Sequence, residues 1–164
     1  MSSTPQIIER AEQPYAAIRA SVTMAQLPGL ADGFGEVFGW LAERGVSPAG
    51  APFFRYHVID MERQLDVEAG VPVQAEIDGD DRVTVSLLPA GRYAVSVHVG
   101  PYDGLIGAVD ALLQWADAQG LEWDSSSAED GEHWACRLDI YLTDPSAEPD
   151  PAKWETQLAF KLAD

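Results

Sequence analysis

Cysteine is the scarcest chemistry-bearing residue of this chain: Cys136 stands alone among 164 residues. One thiol excludes an internal disulfide and a cysteine-based metal cluster. Basic residues are few as well, ten against 27 acidic ones, and the formal net charge is −17. A field of that sign repels DNA, RNA and acidic lipid surfaces and favours neutral or cationic partners. No apolar run approaches the ~20 residues of a membrane-spanning helix. The opening Met1-Ser2-Ser3-Thr4-Pro5-Gln6 has neither the basic nor the apolar region of an export signal. These absences predict a cytoplasmic protein without a cofactor, with no direct nucleic-acid binding and no membrane association.

Familiar site signatures are missing too. There is no Gly-x-Ser-x-Gly nucleophile elbow. Gly29, Gly33, Gly35 and Gly39 lack the Lys-Ser/Thr of a phosphate loop. Asp78-Gly79-Asp80-Asp81 lacks the rest of a calcium loop and reads as a turn. His57, His98 and His133 have no close-spaced ligand partner, so no metal site is expected.

What is present is an ordinary core and an internal echo. The hydrophobic fraction is 46%, enough in a chain of this length for one domain with a real core. Tyr15-Ala16-Ala17-Ile18 resembles Tyr93-Ala94-Val95-Ser96, Trp40 answers Trp115, and Gly45 answers Gly120. Such self-similarity predicts an α+β fold: a pseudo-twofold tandem repeat of strand-helix-strand-strand units within a single domain over 1–164. The halves run from about 7 to 76 and from 83 to 162, with a ligand groove between them.

Periodicity places the elements. Residues 7–22 read as a strand pair or one bent strand. Residues 30–44 show helical spacing through Leu30, Phe34, Val37, Phe38 and Leu41, and Gly45 is a plausible stop. Strands follow over 53–59, 63–73, 83–88 and 93–99. A second helix is predicted over 105–119, a polar loop over 125–132, and further strands over 135–143 and 154–162. Pro145, Pro149 and Pro151 exclude regular structure between the last two. Two helices cover only one face of such an antiparallel sheet, which leaves the other exposed or lined as a binding surface.

The strand around Asp139 carries the chemistry. Alternation puts Cys136, Leu138, Ile140 and Leu142 on one face, expected against a helix. Arg137, Asp139, Tyr141 and Thr143 share the other face, so an acid and a phenol look into the same space. In the first half, 54–60 aligns with 138–144, which pairs Arg55 with Asp139 and His57 with Tyr141. Tyr56, Tyr93, Trp123, Trp134 and Trp154 are the candidate rings of a groove around them.

The succession Pro89-Ala90-Gly91-Arg92-Tyr93-Ala94, His98-Val99-Gly100-Pro101-Tyr102, Trp115 and Asp139-Ile140-Tyr141-Leu142-Thr143-Asp144-Pro145 resembles the GyrI-like small-molecule-binding family. That module also forms the effector-binding domain of multidrug-sensing transcription activators. The resemblance spans about 7–162. It implies a groove whose floor carries a glutamate two residues before a strand tyrosine, where a lipophilic cation is attracted. Here Asp139 holds the glutamate position and Tyr141 the tyrosine; the carboxylate is one methylene shorter, about 1.5 Å further back.

The function so implied is capture of an amphipathic, cationic or aromatic small molecule, for sensing or sequestration. Too few residues precede Ile7 for a DNA-binding domain, so a stand-alone module is expected. One alternative is a hydrolase of strained cyclopropane-containing natural products. There Asp139 acts on water or polarises the substrate, and Tyr141 orients it. Another is a modulator of DNA gyrase, which implies a protein partner.

Overall fold

A computed structural model of the chain describes residues 3–60 and 62–163. Strands β1 (Gln6–Arg10) and β2 (Gln13–Val22) lead into the four-residue helix α1 (Leu27–Leu30) and into α2 (Asp32–Glu43). Next come β3 (Phe53–Ile59), β4 (Leu65–Pro72), β5 (Thr84–Leu88) and β6 (Gly91–Val99). A 3-10 turn, Tyr102–Gly104, opens α3 (Leu105–Ala118), and a second, Pro151–Lys153, capped by the Asp150 carboxylate, forms between the last two strands, where the prolines were expected to exclude regular structure. The chain ends with β7 (Ser125–Ala128), β8 (Gly131–Trp134), β9 (Arg137–Tyr141) and β10 (Glu155–Lys161).

Both long helices bury one stripe and stop in the same way. Val37, Trp40 and Leu41 are the buried residues of α2, and Ala108, Leu112 and Ala116 those of α3. Beyond each lies a glycine with positive φ, Gly45 at 68° and Gly120 at 72°, a conformation that side chains with a Cβ rarely adopt. The backbone N–H groups of Val46 and Leu121 then return to the carbonyls of Leu41 and Ala116.

Ten strands form one sheet, with the order β1-β6-β10-β9-β3-β4-β2-β5; β8 pairs with β3 and β7. All pairings are antiparallel. Strands β3 and β9 pair at the middle of the order, while β1 lies on β6 and β5 lies on β2. Only Ala11-Glu12 separates β1 from β2, and only Pro89-Ala90 separates β5 from β6. Such short links join strands at opposite edges of the order, so the sheet curls until those edges approach.

Curling corrects two expectations. The apolar face of β9 packs against no helix. Leu138 and Ile140 join Tyr15, Phe53, Leu88, Tyr93 and Val95 inside the curl, a cluster drawn from strands and Cys136. The second face is therefore neither exposed nor left as the main binding surface; the sheet folds over it. The helices lie on the side of Asp139 instead, α2 over Ala16, Ile18, Val71 and Ala69, α3 over Ala94, Leu158 and Phe160.

Residues 125–132 are not a loop. Ser125–Ala128 pairs with Gly131–Trp134 as a hairpin. Its first strand is exposed throughout, so neither face needs apolar residues and no alternation marks it in the sequence.

Candidate functional site

Asp139 leaves β9 on the helix side, directly opposite Phe54 across the β3–β9 ladder. It is 7% exposed. The Tyr56 hydroxyl donates to its Oδ2 at 3.0 Å. Aromatic rings cover the rest. Phe54 and Tyr141 meet edge to face at 5.5 Å between centroids. Phe34, in the first turn of α2, sits 5.1 Å from Phe54 and 5.8 Å from Tyr141. Tyr102 lies 5.5 Å from Tyr141 and 4.8 Å from Trp154, which extends the stack to the start of β10.

A carboxyl in such surroundings is pushed toward its neutral form. Burial raises Asp139 to about 6, although the positive charge of Arg137 and the Tyr56 hydrogen bond both pull it down. Arg137 points its guanidinium over the rings of Trp134 and Phe160, at 4.9 and 4.5 Å. Burial lowers its own pKa. Thr156 on β10 faces Tyr141 on β9 and His98 on β6. It is fully buried, and its hydroxyl has no hydrogen-bond partner among the described residues. The arrangement supplies a carboxylate, ring faces and an unsatisfied hydroxyl, which suits a ligand carrying positive charge and aromatic surface.

Little of Asp139 is open to solvent, and Phe54 and Tyr141 flank it on the same face.

Of the residues singled out in the sequence, Asp139, Tyr141 and Tyr56 converge, and Trp154 joins through Tyr102. Arg55 and His57 do not belong to this group. They lie on the interior side of β3, where Arg55 Nη1 donates to the Tyr15 hydroxyl at 2.9 Å and His57 bonds Glu68 at 2.5 Å. The register explains the correction. Arg55 pairs with Leu138 and Phe54 with Asp139, so the alignment of Arg55 with Asp139 sends one of them to the wrong face.

Tyr93 is an interior core residue whose hydroxyl donates to the Pro89 carbonyl at 2.7 Å. Trp123 and Trp134 pack with Phe160 beneath α3. The residues missed were Phe34, Phe54, Tyr102 and Thr156. A one-residue change of register would have revealed Phe54. Nothing in the periodicity of α2 marks Phe34 as other than core.

A curled antiparallel sheet with two long helices over one face, and a buried acid under aromatic rings, defines a ligand-binding α+β domain. The family model of the GyrI-like small molecule binding domain matches residues 3–162, and the chain belongs to that family. Among solved structures, the EcmrR C-terminal domain superposes with a TM-score of 0.77 at 19% identity over 98% of both chains. EcmrR in its DNA complex gives the same TM-score at 20% identity; this chain spans 57% of its length. SAV2435 bound to tetraphenylphosphonium has a TM-score of 0.63 at 11% identity, covering 98% of this chain and 94% of that one. A hydrolase from Listeria innocua has a TM-score of 0.60 at 15% identity, covering 97% and 91%. At these identities the likeness is one of fold. No curated protein sequence matched. Among the described residues, no helix is long and apolar enough to cross a membrane.

Proposed function

We propose that this protein captures amphipathic cations, with aromatic groups as the preferred apolar part, at Asp139, and serves in sensing or sequestration. The observation that carries the reading is one buried carboxylate held by a single phenol hydrogen bond amid Phe34, Phe54, Tyr56 and Tyr141. A cation about 4 Å from an ionised carboxylate gains on the order of 4 kcal/mol at an effective dielectric near 20. Each ring face adds about 0.5–2 kcal/mol. Those terms do not depend on a close shape match, which suits a binder of varied compounds.

Entry runs past Phe34. The first turn of α2 is weakly held: its N-cap is Ala31, without a side-chain cap bond, and Gly33, Gly35 and Gly39 fall within twelve residues. Each such glycine costs a helix roughly 1 kcal/mol relative to alanine. The preceding α1 has no fully buried residue; its Leu27 and Leu30 pack half-buried against Phe54, Leu65, Val67 and Ala69. Lifting this segment frees the faces of Phe54 and Tyr141, the rings beside Asp139. The likeness to SAV2435, a fold neighbour bound to tetraphenylphosphonium, supports the same ligand class here.

The test is calorimetric titration with tetraphenylphosphonium and with the neutral triphenylphosphine oxide. Wild type is expected to bind the cation more tightly, and Asp139→Asn to lose that preference while still binding the oxide. Equal losses for both ligands would sink the charge argument.

Hydrolysis is the second reading, favoured by one observation: a carboxyl titrating at about 6 and bonded to a phenol can give or take a proton near neutral pH. Its check is product formation from a cyclopropane-containing substrate, abolished in Asp139→Asn. A substrate left intact by wild type removes it.

A further inference from the structure

The interior side of the sheet holds a cavity separate from the site above. Its volume is about 230 Å³. Its floor is a row across three neighbouring strands: Gln157 on β10 faces Ile140 on β9, which faces Phe53 on β3. Leu138 completes the apolar floor, and Arg10 and Gln13 stand at the rim on either side of the Ala11-Glu12 link. Asp139 points to the opposite face, so the two sites share a strand but no side chain.

The lining has one kind of charge. It includes Arg10 and no acidic residue, in a chain with 27 of them. Arg10 is half-buried and makes no hydrogen bond or ion pair among the described residues; its one contact of note is with the Tyr93 ring at 5.7 Å. Gln13 spends its amide N–H groups on the carbonyls of Pro14 and Val73, at 2.9 and 2.6 Å, which fixes the rim. A cationic ligand finds nothing here to pair with. An anion finds a guanidinium whose fork matches a carboxylate.

Size limits the ligand further. Drug-sized pockets run from about 300 to 1,000 Å³. This one holds about eight groups of water size, at ~30 Å³ each. We infer that the cavity is a second binding site, for a short amphipathic carboxylate of about six carbons, with the carboxylate on Arg10 and the chain over Phe53, Leu138 and Ile140. The global charge of −17 does not forbid this, because charges beyond about 8 Å are largely screened at physiological salt.

Hexanoate, titrated into the full chain and followed by heteronuclear NMR, tests the site. Saturable shifts are expected at Gln157 and Ile140. Arg10→Gln should weaken hexanoate at least tenfold, and hexan-1-ol should bind at least tenfold more weakly than hexanoate to wild type. Leu142 lies on the cavity wall and is 47% exposed, so Leu142→Trp blocks the mouth without a change in the core. It should abolish the shifts while the circular dichroism spectrum is retained. Asp139→Asn should bind hexanoate as wild type does, and Arg10→Gln should bind tetraphenylphosphonium as wild type does, so failure of either site is read apart from the other. Absence of saturable shifts in wild type, equal binding by folded Arg10→Gln, or equal binding of the alcohol would each overturn the assignment.

Discussion

Asp139 and Glu68 are both buried in one sheet, 7% and 3% exposed, and they meet opposite fates. Asp139 faces the helices, has one phenol as donor, and is pushed up to about 6 by burial. Glu68 faces the interior. Burial pushes it up as well, but hydrogen bonds from His57 and Tyr15 and the charge of Arg55 overcome that, and it lies below the usual glutamate range. The Tyr15 hydroxyl and His57 both reach its Oε1 at 2.5 Å, and Arg55 Nη1 backs the same hydroxyl at 2.9 Å. Burial alone thus does not set a charge; the donors around it do. Glu68 accepts two hydrogen bonds, both at Oε1, and these hold its charge in place. Asp139 accepts one hydrogen bond, from Tyr56, and burial prevails over it.

The sharpest break of this contrast is stability. Glu68→Gln removes a charge that three groups hold, and is expected to cost about 3 kcal/mol at pH 7.5 in denaturant unfolding. Its carboxylate contributes at neutral pH and fades only as pH falls through its depressed titration. Asp139→Asn should go the other way. Its carboxyl titrates higher in the folded chain than in the unfolded one, so ionisation disfavours the fold as pH rises from about 4 to 6. The substitution should therefore stabilise at pH 7.5, by at most about 3 kcal/mol, and leave stability unchanged at pH 3.5. Destabilisation by both variants would erase the distinction drawn here.

Ligand affinity gives the next effect. Tetraphenylphosphonium should bind about tenfold more weakly at pH 5 than at pH 7, because a group titrating at about 6 is mostly neutral at the lower value. Asp139→Asn should flatten that dependence. A wild-type profile already flat between these values would show that the cation does not meet this carboxylate. The smallest effect belongs to Tyr56→Phe. The phenol hydrogen bond favours the charged form of Asp139. Its loss should move the midpoint of the binding profile upward and leave affinity at pH 8 within about twofold, since ionisation is complete there.

Much of the fold was legible because its periods are local. Helical spacing through Val37 and Leu41 and through Leu112 and Ala116, each ended by a glycine, located both long helices to within about two residues. The alternation of Leu138, Asp139, Ile140 and Tyr141 put acid and phenol on one face. The Ser125–Ala128 strand escaped because it buries nothing. Arg55 and His57 escaped because an alignment of two strands carries no register; a slip of one residue reverses every side chain. Trp123 and Trp134 fit groove rings in the sequence because an aromatic residue looks the same there whether it packs under a helix or lines a cleft.

Sequence alone settled the period of each element, the Asp139–Tyr141 pair on one face, and the lone buried thiol of Cys136. These follow from bonded geometry, which repeats every two or 3.6 residues regardless of the rest of the chain. Tertiary structure alone decided which face the helices cover, that Phe34 stacks on Phe54 and Tyr141 beside Asp139, and that Glu68 keeps its charge while Asp139 resists it. Those depend on a sheet curled by two short links between opposite edges, and on groups brought within about 3 Å from positions far apart in the chain, an outcome no local pattern encodes.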